Sequence, residues 1–193
     1  MKLGEIAKVS SGLVVARKKA NLDPKYKYRM LTLRSFEEEG WLNINHLEEF
    51  GSSEIIKPQY LTEKGDIIVR LSSPNTAVSI SDGLEGLLIP SLFAIIRLTS
   101  DRINPEYLTL YLNSEAAKKQ FIKESFGTAL TIIRTSFLKD IEIKEQSVDK
   151  QRKLEHITRL YLQEKKLLKD LAREKEKLYR SILQKYFDPR EEL

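Results

Sequence analysis

The first hundred residues alternate short apolar runs with Gly, Pro, Asn and Ser, which is the pattern of short β-strands joined by turns. The most continuous run is LFAIIRL, residues 92–98, which predicts a strand that is buried on both faces apart from Arg97. Similar runs predict further strands at residues 28–36, 41–45, 54–57, 66–71, 77–80 and 87–89.

The pattern becomes helical after residue 100. Asn104-Pro105-Glu106 combines an Asn cap, a Pro at the first helical position and an acid near the positive end of the helix dipole. We predict a helix there and a second helix that Ser114 caps. Residues 125–137 return to loop and turn chemistry, and residues 141–143 predict a short closing strand.

The last part of the chain predicts one long helix. From Asp149 to about Phe187 the sequence has no Gly or Pro and consists mainly of good helix formers. Such a helix is roughly 58 Å long, whereas the preceding domain has a radius of gyration of about 15 Å. We therefore expect the helix to project and to pair with another helix. The alternative is a helical hairpin, but this stretch contains no turn residue.

The apolar residues of this helix recur at gaps of three, four or seven, as in the a/d seam of a coiled coil. Glu164 and Lys175 occupy two seam positions. The residues that we expect to mediate dimerisation are Leu154, Ile157, Tyr161, Leu168, Leu171, Leu178 and Ile182.

These patterns predict an α+β protein: one mixed, β-rich domain over residues 1–148, a long projecting α-helix over 149–188 that pairs as a coiled coil, and a tail over 189–193. The chain has no cysteine, which excludes disulfides and thiolate chemistry. The N-terminus lacks the apolar core of a signal peptide, and no apolar run has the length of a membrane span. We expect a soluble, cytoplasmic protein.

Charge is distributed unevenly along the chain, whose formal net charge is +5. Residues 17–34 carry seven Lys or Arg and one Asp, and residues 37–63 carry seven Glu and one Lys. A basic patch is the usual electrostatic footprint of phosphate-backbone binding, although a solvated surface with clustered charges gives the same pattern.

Candidate catalytic groups are few. His46 and His156 lack metal-site spacing, and we interpret them as surface residues. The sequence contains no glycine-rich phosphate loop and no amino-methyltransferase motif. Ser136-Phe-Leu-Lys139 fits a Ser-x-x-Lys nucleophile pattern, but the companion motifs are missing. We therefore expect no enzyme activity and no metal or cofactor in this chain.

A polar loop follows the predicted strand 66–71. Arg70 stands near the end of this strand, and Ser72-Ser73-Pro74-Asn75-Thr76 follows it. These side chains can pair with guanine, phosphate oxygens or base edges. The alternative for Arg70 is an ion pair with Glu63 or Asp66.

The order of motifs resembles a target recognition domain from the specificity subunit of a type I restriction–modification system. The resemblance covers nearly the whole chain and is carried by KLGEIAKVSSG at the start and by residues 61–69, 90–97, 103–108, 111–114, 127–134, 138–143 and 151–157. The family loop after the Gly-Asp strand often carries glycines, whereas this chain has Ser72 to Thr76.

A specificity subunit of this family usually has two recognition domains and two long helices, so this chain resembles half of one. The resemblance implies a homodimer with antiparallel helices that reads two identical half-sites of double-stranded DNA. It implies as partners a DNA adenine methyltransferase subunit, which binds S-adenosylmethionine, and a nuclease-translocase subunit. The residues expected to contact DNA are Arg17, Lys18, Lys19, Arg34, Arg70, Ser72, Ser73, Asn75, Thr76, Thr128, Thr131, Arg134 and Thr135.

Two other interpretations stay open at this point. The helix can capture a full specificity or methyltransferase subunit while the domain no longer reads DNA, which makes the protein a decoy or assembly regulator. The chain can also be a fragment of a longer two-domain protein.

Overall fold

The computed structural model of the protein describes residues 1–19, 24–125 and 132–187. The chain divides into two compact units, Met1–Glu155 and His156–Leu193. The first unit contains the β-sheets, four short α-helices, short 3₁₀ helices and the beginning of a fifth α-helix. The second consists, over its described residues, of one helix.

Two antiparallel sheets form the first unit. The larger sheet contains β1 (Ala7–Ser11), β4 (Ile67–Arg70), β5 (Ala77–Ser79) and β6 (Phe93–Leu98) in the order β1-β6-β4-β5. The smaller pairs β2 (Tyr26–Met30) with β3 (Glu48–Ser52). The predicted strands at 66–71, 77–80 and 92–98 are thus confirmed in position, with shorter bounds.

Five α-helices complete the described structure: α1 (Leu3–Ile6), α2 (Pro105–Asn113), α3 (Glu115–Ser125), α4 (Thr135–Asp140) and α5 (Val148–Phe187). The start of α2 is as predicted, because Asn104 Oδ1 accepts a hydrogen bond from the backbone N–H of Glu106 at 2.8 Å. Ser114 also caps α3, since its Oγ accepts from the N–H of Ala117 at 3.4 Å.

Side chains alternate between the two faces of the larger sheet, and a separate hydrophobic core covers each face. On one face, Ile67 and Val69 join a core that includes Leu108 of α2 and Phe121 of α3. On the other face, Ile68 joins a core in which the ring of Phe36 stacks on Phe93 with centroids 4.6 Å apart. The structure departs from prediction at Leu92, which is half exposed and precedes the strand.

Several predicted strands are wrong. Residues 41–45 and 54–57 form none, and the strand near them is β3, whose sequence EEFGS is too polar to suggest one. Residues 87–89 are buried but form no regular strand: Leu88 makes isolated bridges with Met30 and Leu61. The N–H groups of Leu88 and Ile89 donate to the carbonyls of Arg29 and Tyr60, respectively. Strand β1, KVSS after Ala7, was missed for the same reason as β3.

Two further predictions fail near the C-terminal end of the first unit. Part of the predicted loop 125–137 is helical, because α4 begins at Thr135, while residues 126–131 lie outside the described residues. The predicted closing strand 141–143 makes one isolated bridge, between Lys2 and Glu142. It is held by the chain start, since Leu3 N–H donates to the carbonyl of Ile141 at 2.9 Å.

The first turns of α5 belong to the first unit. Gln151 is buried, and its Nε2 donates to the carbonyls of Arg102 and Gln146, both at 2.9 Å, while its Oε1 accepts from Asn104 N–H at 2.9 Å. A buried amide with every group satisfied fixes the chain direction at this point. Residues 148–155 of α5 therefore belong to the first unit, which ends at Glu155.

In the second unit the helix continues to Phe187, and the predicted tail lies outside the described residues. Ion pairs between residues three or four apart cover its polar surface, for example Lys177 with Glu174 and Arg180 with Glu176, both at 2.8 Å. No helix within the described ranges is long and apolar enough to cross a membrane.

Candidate nucleic-acid interface

One end of the larger sheet gathers four strand ends, here called the loop end. The antiparallel register pairs Arg70, the last residue of β4, with Phe93, the first residue of β6. It also places Ser11, at the end of β1, opposite Ala94, and Val69 opposite Ala77, at the start of β5. The segments that enter or leave these strands therefore meet at one edge.

Residues 70–76, the Arg70 loop, form a tightly bonded turn at this end. The N–H of Arg70 donates to the carbonyl of Thr76, and the N–H of Asn75 donates to the carbonyl of Ser72, both at 2.9 Å. Asn75 has a φ of 55°, a left-handed conformation that Asn tolerates better than most residues. Its side-chain amide donates inward to the carbonyl of Leu71 at 2.8 Å.

This bonding gives the loop residues different environments from those we predicted. Asn75 and Thr76 are buried, with 9% and 1% exposure, so their side chains do not reach the surface here, and their contact with DNA stays a prediction. Ser73 is exposed, and Arg70 and Ser72 are half exposed. The outward-facing polar groups of the loop are therefore those of Arg70, Ser72 and Ser73.

Arg70 does not pair with Glu63 or Asp66. Its Nε donates to Ser72 Oγ at 3.0 Å, and it forms no ion pair with any residue that the structure describes. Asp66 and Glu63 precede β4, whereas Arg70 ends it, so the extended strand holds them about 13 Å apart. Their partner is Arg97, whose Nε lies 2.9 Å from Asp66 Oδ1. The ion-pair alternative for Arg70 is therefore wrong.

The segment before α4 lies directly beside the Arg70 loop. Ser72 and Ile132 form an isolated antiparallel bridge, and Ile133 N–H donates to the carbonyl of Leu71 at 2.9 Å. Arg134 is exposed, but its guanidinium donates to Glu124 Oε1 at 2.7 Å. The half-buried Thr135 begins α4. Thr128 and Thr131 lie outside the described residues.

The early basic segment reaches the same end of the sheet through Leu13. Leu13 donates its N–H to the carbonyl of Ile89 at 2.8 Å and accepts from Ser91 N–H at 2.7 Å. Arg17, at the end of the short 3₁₀ helix Val15–Arg17, and Lys19 are exposed. Lys18 is ion-paired with Glu54 in the acidic region of the chain.

Arg34 stands apart from this group. It is exposed in the 3₁₀ helix Leu33–Ser35, and His46 Nδ1 lies 3.0 Å from its carbonyl oxygen. No hydrogen bond or ion pair between described residues joins Arg34 to the Arg70 loop.

Two residues at this site were missed by sequence reasoning. Leu92 is 51% exposed, and its carbonyl accepts from Leu71 N–H at 3.0 Å, so an apolar side chain borders the polar loop. Lys118 of α3 donates from Nζ to the carbonyls of Pro74 and Asn75 at 2.6 and 2.7 Å. The exposure of Leu92 was not predicted because Leu92 belongs to an apolar run that indicates a buried strand. No sequence pattern indicated the carbonyl partners of Lys118.

The second unit presents an apolar stripe along its helix. Its seam positions recur with gaps of four and three residues from Ile157 to Ile182, interrupted by Glu164 and Lys175, which is the heptad pattern of a paired helix. Leu154 differs from the other predicted dimerisation residues because it packs against the core of the first unit. The remaining six are 46–63% exposed: Ile157, Tyr161, Leu168, Leu171, Leu178 and Ile182.

Residues 1–172 match the family described as the type I restriction modification DNA specificity domain. The chain therefore belongs to this family, as its motif order and its β-rich domain followed by a long helix indicated. The sequence matches no curated protein.

Solved structures show the same fold at low sequence identity. The HsdS subunit from Thermoanaerobacter tengcongensis is 15% identical with a TM-score of 0.66, and 96% of this chain aligns with 47% of it. The type I restriction-modification system S subunit from M. genitalium is 17% identical with a TM-score of 0.52, and 92% of this chain aligns with 43% of it.

A chain from a study of complex assembly and conformational transition of the type I R-M system is 16% identical with a TM-score of 0.65. The whole of this chain aligns with 50% of that chain. The protein thus spans about half the length of the solved structures that it matches.

Proposed function

We propose that this chain reads one half of a bipartite DNA target and does so with the loop end of its larger sheet. The observation that carries this proposal is the placement of Arg70, a partly exposed residue that forms no ion pair with a described acid. An arginine so placed can donate two hydrogen bonds to guanine in the major groove. Ser72 and Ser73 supply shorter donors and acceptors beside it.

The basic residues near this end would supply affinity without sequence preference. Arg17 and Lys19 are exposed and available to phosphate oxygens. Lys18 and Arg134 are engaged with Glu54 and Glu124, so they must exchange a carboxylate for a phosphate to contribute. Both ion pairs are at least partly exposed and weak enough in water for this exchange.

The helix of the second unit would pair two copies of the chain. Six exposed apolar side chains at heptad spacing need a partner, and a second copy of the chain would supply an identical apolar seam. A twofold homodimer with antiparallel helices presents two identical recognition domains. Its target is then a palindrome interrupted by a spacer.

The chemistry on the target would belong to partner subunits. We assign to this chain no catalytic role, because the outward groups of the site are one guanidinium and hydroxyls, without a base or nucleophile arrangement. An adenine methyltransferase subunit that binds S-adenosylmethionine docks on the helix pair, and a nuclease-translocase subunit joins the complex.

Selection from a random duplex DNA library at two salt concentrations tests this function, with the solution mass measured by light scattering. Enrichment of a gapped palindrome by a dimer supports the proposal. A basic surface alone gives salt-dependent binding without enrichment.

The second candidate function is helix-mediated capture of a restriction–modification subunit without DNA reading. The observation that favours it is that Lys18 is ion-paired with Glu54 and Arg134 with Glu124, which reduces the free positive charge of the interface. A dimer that enriches no sequence, alone or after a methyltransferase subunit is added, would establish this candidate instead.

A further inference from the structure

Lys118 connects α3 to the Arg70 loop. Its Nζ donates to the carbonyl oxygens of Pro74 and Asn75 at 2.6 and 2.7 Å, and it lies 5.9 Å from the centroid of the Phe121 ring. The next residue, Lys119, is exposed. Of these two adjacent lysines, one therefore points to solvent and the other binds the backbone of the loop.

This position is costly for a lysine. Burial lowers the pKa of Lys118 to about 8, although the acid Glu38 acts in the opposite direction. The loop partners are neutral carbonyls rather than a carboxylate, so no full opposite charge in the loop offsets the loss of water. An apolar residue packed on Phe121 would avoid this cost, which indicates that the two donated hydrogen bonds are the reason for the ammonium.

The loop needs these donors because its own are already used. Pro74 has no N–H, and the Asn75 N–H is bonded to Ser72. The Asn75 side chain donates to Leu71. Without Lys118, the carbonyls of Pro74 and Asn75 would have to accept hydrogen bonds from water at a partly buried site. The loop would also lose the two hydrogen bonds that connect it to α3.

A second side chain fixes the far end of the same turn. Asn113, at the end of α2, accepts from Ala77 N–H at 2.9 Å and donates to the carbonyl of Ala77 at 2.8 Å. The loop is thus held at Pro74–Asn75 by Lys118 and at Ala77 by Asn113. With its inner face bonded in this way, the loop turns Arg70 and Ser72 outward.

We propose that Lys118 is a positioning residue for sequence reading: by holding the carbonyls of Pro74 and Asn75, it sets the direction in which Arg70 and Ser72 meet a base pair. This inference rests on the proposed function. Lys118 itself does not touch DNA, so its loss should lower discrimination between sequences and leave the phosphate-dependent affinity unchanged.

The test compares the wild-type protein with Lys118→Met and with the control Lys119→Met, which removes the same charge at an exposed position. Hydrogen exchange of the free protein should become about tenfold faster at the Arg70 loop in Lys118→Met alone, because two charge-assisted hydrogen bonds are lost. The preference for the selected target over random DNA should fall about tenfold in the same variant. Affinity for random DNA should match that of Lys119→Met.

Lys118→Arg tests whether the hydrogen bonds rather than the size of the side chain matter. Arg keeps the charge and the donors, so it should retain most of the preference for the selected target. Should Lys118→Met fail to fold, Lys118→Gln, which keeps one amide donor group, replaces it with an intermediate loss expected. Unchanged loop exchange and unchanged preference in a folded Lys118 variant would overturn the inference.

Failure of the proposed function is distinguished by the wild-type protein, which would then bind the target and random DNA equally. In that case the positioning role in DNA reading falls with it, whatever the exchange rates of the loop.

Discussion

Arg97 donates two hydrogen bonds to the Asp66 carboxylate, from Nε to Oδ1 at 2.9 Å and from Nη2 to Oδ2 at 3.0 Å. This pair connects β6 to the start of β4. The Asp66 side chain is 3% exposed. This hydrogen bonding raises the pKa of Arg97 above its usual value. The pair occupies the end of β4 opposite the loop end, so Arg70 is left without a competing acid.

Replacing Arg97 should destabilise the domain more than replacing an exposed arginine. In Arg97→Met the Asp66 carboxylate stays buried without its cation, and we expect a loss of about 3 kcal/mol in the free energy of unfolding. The matched control is Arg102→Met, which breaks an exposed pair with Glu145 and should therefore cost much less. Urea unfolding of both variants measures the difference, and equal losses would contradict this assignment.

Gly12 packs tightly against the backbone of a neighbouring segment at the loop end. A Cβ atom there would lie 2.2 Å from the carbonyl oxygen of Pro90 and 2.4 Å from that of Ile89. Backbone atoms cannot move aside as a flexible side chain does, so Gly12→Ala should lower the melting temperature by several degrees, corresponding to about 1–3 kcal/mol. The control Ser11→Ala, at an exposed neighbour, should change it little, and a stable Gly12→Ala protein would show that the segment can shift.

The strongest local patterns predicted the elements that carry the site. Strand β6 and helix α2 follow from an unbroken apolar run and from the Asn-Pro-Glu start. Strands β1 and β3 were not predicted because each has few apolar residues, and pairing with a neighbouring strand stabilises them rather than their own composition.

The direction of side chains in the Arg70 loop could not be predicted from sequence. Asn75 has the chemistry of a DNA contact, yet its amide is used by Leu71 four residues earlier. Lys118 acts on this loop from 43 residues away in sequence. The partner assumed for Arg70 was a near neighbour in sequence, but an extended strand separates the two. Tertiary contacts of this kind decide which polar groups face outward.

The buried ammonium of Lys118 predicts a specific pH dependence of stability. Its pKa is about 8 in the folded protein, below the 10.5 of an ordinary lysine. Between these values the unfolded chain binds the proton and the folded protein does not, so the free energy of unfolding rises with pH. Relative to Lys118→Met, the wild-type protein should therefore gain stability as the pH increases from 8 to 10.

Thermal unfolding of both proteins across this range measures the difference, with Lys119→Met as the control for a change in net charge. Lys119→Met keeps Lys118, so it should gain the same stability relative to Lys118→Met as the wild type does. Parallel curves for the wild type and Lys118→Met would mean that the folded protein keeps Lys118 protonated like a surface lysine.

Arg70 and Lys19 should affect DNA binding in different ways. Arg70→Ala should reduce the preference for the selected half-site by about 1–3 kcal/mol and relax the requirement at one base pair. Lys19→Ala should instead weaken binding to all sequences alike and lower the salt dependence by about one counterion. Titrations of target and random DNA at several salt concentrations separate the two effects. A uniform loss in Arg70→Ala would reassign that side chain to phosphate binding.

The exposed seam of the second unit predicts a dimer that a single charge can dissociate. The apolar side chains of Leu168 and Leu171 are 59% and 53% exposed, and burial against a second helix removes them from water. Leu168→Glu places a carboxylate in this seam in both copies, so the solution mass should fall from twice 22.4 kDa to 22.4 kDa. Gln163→Glu adds the same charge outside the seam and should leave the dimer intact.

The monomeric variant should still bind DNA that carries one half-site, while its advantage on the full palindrome disappears, because two linked domains bind with an effective concentration that a monomer lacks. Light scattering combined with titration of one-half and two-half DNA checks both results. A wild-type protein that is already a monomer, or a Leu168→Glu protein that stays a dimer, would contradict pairing through this seam and direct attention to a different partner for the helix.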